Sequence, residues 1–183
     1  MKIDNLRESP EARLVRSGLA LPADPPRPVG SFCNVRRSGN LLFVSGQGPV
    51  LADGTLMTGK VGDTVSAEEA REHAELVAIN ILTALRAFCD GSLDRVRGVV
   101  KLLGLVNATP EFSRHPYVID GASDLLAPIF GQAGIHSRSA FGVGSLPNQI
   151  TVEIEAIFDP DPGSDCPRTC EASSCGRPGI HRP

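Results

Sequence analysis

Two runs, Leu41-Leu42-Phe43-Val44 and Val99-Val100-Lys101-Leu102-Leu103-Gly104-Leu105-Val106, carry apolar side chains on successive residues. Side chains of a strand alternate between faces, so both strands need cover above and below. The helices available for that cover are few. Ser66-Ala67-Glu68-Glu69 is a capping box in which each side chain can bond the other residue's backbone N–H. After it Ala70, Ala74, Val77, Ala78, Ile81, Leu82, Leu85 and Phe88 recur at spacings of three and four. That spacing predicts one long helix with a single buried stripe, stopped by Asp90-Gly91. A shorter helix is predicted over residues 117–130, with Pro128 loosening its last turn. Two helices cover one face of a sheet; the other face calls for association with further copies of the chain.

The remaining strands are placed by turn chemistry. Residues 31–36 and 41–45 flank Ser38-Gly39-Asn40, and residues 137–144 and 150–158 flank Ser145-Leu146-Pro147-Asn148-Gln149, so each pair reads as a hairpin. The order of two strands, helix, strand, helix, two strands predicts an α+β fold, a mixed sheet with two helices packed on one face. We expect this domain to span residues 28–158. Residues 1–27 read as an appendage: a short helix signalled by Ser9-Pro10 and Gly18, then a Pro-rich linker. Residues 159–183 lack periodicity and are expected to form a disordered tail.

Composition narrows the partners. Lys plus Arg number 18 against 21 Asp plus Glu, a net charge of −3, and there is no Trp and one Tyr. Neither a cationic surface for nucleic acid nor a stacking platform for bases is evident. No apolar run reaches the roughly 18 residues of a membrane span, and Met1-Lys2-Ile3-Asp4 leads into charges, so the chain reads as cytoplasmic with no membrane partner. Five cysteines in no extracellular pattern are expected to be free thiols. Cys166, Cys170, Cys175 and His181 do not match zinc-site spacing, so no metal is expected. Gly46-Gln47-Gly48 and Gly142-Val143-Gly144 stop short of a phosphate-binding loop, and Ser45 lacks the preceding glycine of a nucleophile elbow.

The terminal hairpin carries the one constellation with chemical content. With a turn centred between Leu146 and Pro147, Arg138 faces Glu155 and lies diagonal to Glu153, all on one face. Such a group is either a cross-strand ion pair on a solvated surface or an Arg fork for a small carboxylate with a Glu beside it for proton transfer.

At these residues the chain resembles the RidA/YjgF family of enamine/imine deaminases, over nearly all of residues 28–158. The matching stretches are Gly39-Asn40-Leu41-Leu42-Phe43-Val44-Ser45-Gly46-Gln47-Gly48-Pro49, Gly91-Ser92-Leu93-Asp94-Arg95-Val96, and Ser137-Arg138-Ser139 through Leu146-Pro147 to Val152-Glu153-Ile154-Glu155-Ala156. The N-terminal helix and the Asp120-Gly121-Ala122-Ser123-Asp124-Leu125-Leu126 segment are similar to a longer branch of that family. The resemblance implies a chorismate-mutase-like fold and a homotrimer with clefts between subunits, working without cofactor or metal. It implies hydrolysis of 2-imino acids such as 2-iminopropanoate and 2-iminobutanoate to 2-oxo acids and ammonia. Arg138 would bind the carboxylate, helped by the Ala140 N–H, and Glu153 would be the catalytic acid/base. Phe32, Ser45, Gly46 and Ser123 would line the pocket. Phe32 and Ala140 replace the family's pocket tyrosine and cysteine, and Ser123 its asparagine. These departures leave open a non-enzymatic trimer that binds or senses a small carboxylate; a ribonuclease is disfavoured by the acidic charge and missing aromatics.

Overall fold

The computed structural model describes residues 8–163 and Cys166. Its elements are α1 (Pro10–Ser17), β1 (Val35–Ser38), β2 (Leu41–Gln47), α2 (Ala67–Phe88), β3 (Val96–Asn107), α3 (His115–Phe130), β4 (Ser137–Val143) and β5 (Val152–Pro160). The strands form one sheet in the order β1-β2-β5-β3-β4, antiparallel throughout except for the parallel pair β3 and β4. The predicted α+β architecture is present, with α2 and α3 packed side by side on one face.

The local reasons follow from the sequence. Ser66 caps α2, its hydroxyl accepting from the Glu69 N–H at 3.1 Å, a contact worth about 1 kcal/mol. The predicted stripe is buried: Val77, Ile81, Leu82 and Leu85 are fully covered, and each such side chain contributes about 1.5–3 kcal/mol. They meet Leu42 and Val44 of β2, Leu102 and Val106 of β3, and Ile154, Ala156 and Phe158 of β5 in one continuous core. Gly121 of α3 lies against the backbone of α2, where a Cβ would collide with the Arg71 carbonyl.

Three expectations are corrected. The N-terminal helix is no appendage. Leu14 is buried in the main core, Glu11 accepts from the Leu93 N–H at 2.9 Å and pairs with Arg86 at 2.8 Å, and Asp94 accepts from the Glu11 N–H. At the other end, β5 runs through residues 159 and 160, and Cys166 is buried in the core; the rest of the expected disordered tail lies outside the described residues.

The third correction concerns topology. β4 and β5 do not pair with each other. The β3-α3-β4 segment is a crossover unit that lays β4 parallel to β3 with Arg138 opposite Leu102, while β5 occupies the other edge of β3 with Leu102 opposite Ala156. The intended hairpin turn is held elsewhere: Gly59 N–H donates to Gln149 O and Thr151 N–H to Met57 O. Asn148 and Gln149 adopt positive φ of 52° and 57° to make that path. β5 is thereby steered between β2 and β3 as the central strand.

Candidate functional site

The topology divides the predicted site residues into two groups on opposite faces of the sheet. Directly paired residues share a face, which can be followed across the strands. One row runs Glu155-Leu103-Ser139 and the next Glu153-Leu105-Phe141; both belong to the face without helices. Arg138, in line with buried Leu102 and Ala156, belongs to the helix face. Two strand spacings sideways and three residues along place Arg138 and Glu153 roughly 14 Å apart at the backbone. The expected contact of Arg138 with Glu155 and Glu153 within one chain is therefore absent, because β3 lies between their strands.

On its own side Arg138 is held by α3. Its Nη1 donates to Asp120 Oδ1 at 2.8 Å and to Ser123 Oγ at 2.9 Å, and Nη2 donates to the Pro116 carbonyl at 3.3 Å. Ser123 lies 3.1 Å from His136 Nε2, while His136 Nδ1 lies 2.7 Å from the Gly134 carbonyl. A carbonyl only accepts, so Nδ1 carries a proton toward Gly134, and Nε2 meets the Ser123 hydroxyl. The chain of bonds therefore runs from Arg138 through Ser123 and His136 to the backbone. Among the described residues it leaves the Arg138 Nε–H and one Nη2–H for a ligand, the number that a bidentate carboxylate takes. Ala140, two residues along β4, rests against the core on the same face.

Glu153 sits in different surroundings. It closes a cleft of about 220 Å³ lined by Phe32, Asn34, Gly46, Gln47, Pro147 and Ile150 among others. The cleft exists because β2 bulges between Val44 and Gln47, where the register against β5 shifts. Gly46 occupies the bulge, and a Cβ there would overlap the Glu153 Oε1. Only glycine lets the carboxyl lie on the backbone. Burial, reinforced by the charge of Glu155, raises the Glu153 pKa above the ordinary carboxylate value. Ser45 is turned to structure: its hydroxyl donates to the Cys33 carbonyl at 2.8 Å and its N–H to Asn34 O.

The structure thus brings Phe32, Gly46 and Glu153 to one cleft, and Arg138 and Ser123 to one corner, with Ser45 and Ala140 beside them. Sequence reasoning did not single out Asp120 or His136. Asp120 and Ser123, three apart on a predicted helix, share one face, a signal that could have tied them to a common partner. Among the described residues no cluster of three or more His, Cys, Asp or Glu is arranged to hold a metal ion, and no helix is long and apolar enough to cross a membrane.

Residues 11–154 match the family model described as "YjgF/chorismate mutase-like, putative endoribonuclease". The chain is 39% identical over 149 residues to Protein TCP17 of Trypanosoma cruzi, covering 81% of this chain and 92% of that protein. It is 27% identical over 133 residues to a 2-iminobutanoate/2-iminopropanoate deaminase of Dermatophagoides farinae, covering 72% of this chain and 88% of the relative. A crystal structure of an Agrobacterium tumefaciens protein with unknown function superposes with a TM-score of 0.75 at 41% identity, covering 83% of this chain and 92% of that one. The sheet order, the two packed helices and this match over most of the chain agree: the protein belongs to the RidA/YjgF family.

Proposed function

We propose that the protein is a cofactor-independent hydrolase of 2-imino acids, acting on 2-iminopropanoate and 2-iminobutanoate in sites shared between the subunits of a homotrimer. The observation that carries this reading is the separation of Arg138 from Glu153 within one protomer. Each half bears one of the two functions the reaction needs, and a partner's corner against this chain's cleft would complete a site. The open face of the sheet, where Phe43 is 40% and Phe141 54% exposed, is a surface that association would cover. A relative named as a deaminase of these substrates supports the same chemistry.

The residues suit the steps. The remaining donors of Arg138 take the substrate carboxylate and fix the imine carbon. Glu153, ionised, accepts a proton from water as the oxygen bonds to that carbon and the C=N electron pair moves to nitrogen. It returns that proton to the nitrogen, giving a carbinolamine, and then carries the carbinolamine hydroxyl proton to the same nitrogen as the C=O bond forms and the C–N bond breaks, releasing ammonia and a 2-oxo acid. The raised pKa brings the carboxyl toward neutrality, where one group can serve as base and then acid. The chemistry needs no protein nucleophile, and the cytoplasmic setting read from the sequence suits it.

The test is ammonia and 2-oxo acid release from freshly generated 2-iminopropanoate and 2-iminobutanoate, with light scattering on the same sample. Turnover by a trimer is expected. Saturable binding of 2-oxobutanoate without turnover would identify a sensor, and a monomer would remove the shared site.

A further inference from the structure

Cys89 and Cys166, 77 residues apart in the chain, are brought together by the fold with their Sγ atoms 2.7 Å apart. Cys89 caps the C-terminal end of α2, its N–H donating to the Leu85 carbonyl. Both side chains lie in the core, Cys89 at 0% and Cys166 at 2% exposure. Cys166 is also held from the edge strand, because Arg37 Nη1 of β1 donates to its carbonyl at 3.0 Å. Non-bonded heavy atoms are most comfortable at about 3.5–4 Å. Two buried sulfurs inside that range, each fixed by its own backbone contacts, are placed for a bond. The Cys33 thiol is elsewhere, 3.4 Å from the Val35 carbonyl.

We propose that Cys89 and Cys166 are a cystine-forming pair, a covalent latch that fastens the chain beyond β5 to the end of α2. The latch closes by exchange with a low-molecular-weight disulfide. One protein thiolate attacks that disulfide, expelling one small thiolate and leaving a mixed disulfide. The second protein thiol gives its proton to solvent and displaces the other small thiolate. Two protein S–H bonds are lost and one S–S bond is formed, while two electrons reduce the small disulfide, which with two protons becomes two small thiols. Burial, with the Cys166 sulfur beside it, pushes the Cys89 thiol far above its usual range. Attack within the closed pair is therefore slow, and exchange proceeds while Cys166 is out of its pocket.

The full chain is equilibrated with oxidised and reduced glutathione, alkylated under denaturing conditions, digested and mapped by mass spectrometry. A linked peptide joining Cys89 to Cys166 should dominate and vanish with dithiothreitol. Recovery of Cys89 as an alkylated free thiol, or linked to Cys33, Cys170 or Cys175, would overturn the assignment. A Cys33→Ser/Cys170→Ser/Cys175→Ser variant keeps only the pair. Its oxidised form should be lighter by two hydrogens and melt about 10 °C above the reduced form. Equal melting temperatures would contradict a latch, since the bond would then form only outside the native packing.

Discussion

The Arg138 corner and the Glu153 cleft are built on opposite principles. At the corner the polar groups are wired to one another: Arg138 reaches Asp120, Ser123 and Pro116, and Ser123 passes the chain to His136 and Gly134, with two Arg138 N–H groups left for a ligand. In the cleft, among the described residues, no group donates to the Glu153 carboxylate, which lies on bare backbone at Gly46 beside a second carboxylate. A connected network that leaves two donors open holds a charge in one place and suits recognition. A desolvated carboxyl without donors has a raised pKa and suits proton transfer. On the proposed reading, binding and proton transfer are thus assigned to separate faces of the sheet, and only association unites them.

Mutations at the two places should differ in kind. Glu153→Gln should slow imine hydrolysis by roughly 10² to 10⁴ while 2-oxobutanoate binding is kept, the loss expected for a missing acid/base. Arg138→Ala should instead lose 2-oxobutanoate binding, with Arg138→Lys restoring little because an ammonium cannot make two parallel bonds. Calorimetric titration beside a turnover assay separates the two. Glu155→Gln should be mild; equal losses in both glutamate variants would reduce the cleft to a structural charge cluster. Gly46→Ala should follow at on the order of 10²-fold in turnover, since a new methyl displaces the carboxyl by about 1 Å.

The sequence disclosed elements better than neighbours. Ser66 with Glu69, the Ala70-to-Leu85 stripe and Ser9-Pro10 named their helices because capping and periodicity are local. Strand pairing is not local. β5 alternates fully buried residues with more accessible ones, which fixes its faces and says nothing about which strand it joins. Nearness in sequence suggested β4, whereas the α3 crossover had already given β4 to β3. The placement of Arg138 against Glu155 failed with that pairing, whereas the choice of Arg138 and Glu153 as site residues came from the family resemblance and does not depend on it. Asp120 and His136 were overlooked because their role rests on α3 lying against β4, a contact no local pattern encodes. Cys166 was assigned to the tail for the same reason: a segment without periodicity can still deliver one side chain to the core.

Two smaller effects sharpen the contrast. Ser123→Ala should weaken 2-oxobutanoate binding by about 2- to 10-fold, the worth of one hydrogen bond, because Asp120 and Pro116 still hold Arg138. In the cleft, stability should respond to pH. The folded state raises the Glu153 pKa, so it binds the proton more tightly than the unfolded chain does. Stability linked to this group is complete below the unfolded glutamate pKa of about 4.3 and declines as pH rises through the raised value. Glu153→Gln should accordingly melt at or above wild type at neutral pH, with the gap closing in acid. A variant less stable than wild type at neutral pH would mean that the carboxylate is a structural anchor.

The shared site is tested most directly by combining the two inactive chains. Arg138→Ala and Glu153→Gln are co-expressed in equal amounts under different tags, and doubly tagged trimers are isolated and assayed for imine hydrolysis. If each site takes Arg138 from one subunit and Glu153 from its neighbour, every mixed trimer has one of its three sites intact, which restores roughly a third of wild-type turnover although neither variant is active alone. Activity no higher than that of the separate variants would show that no site draws its two halves from different chains.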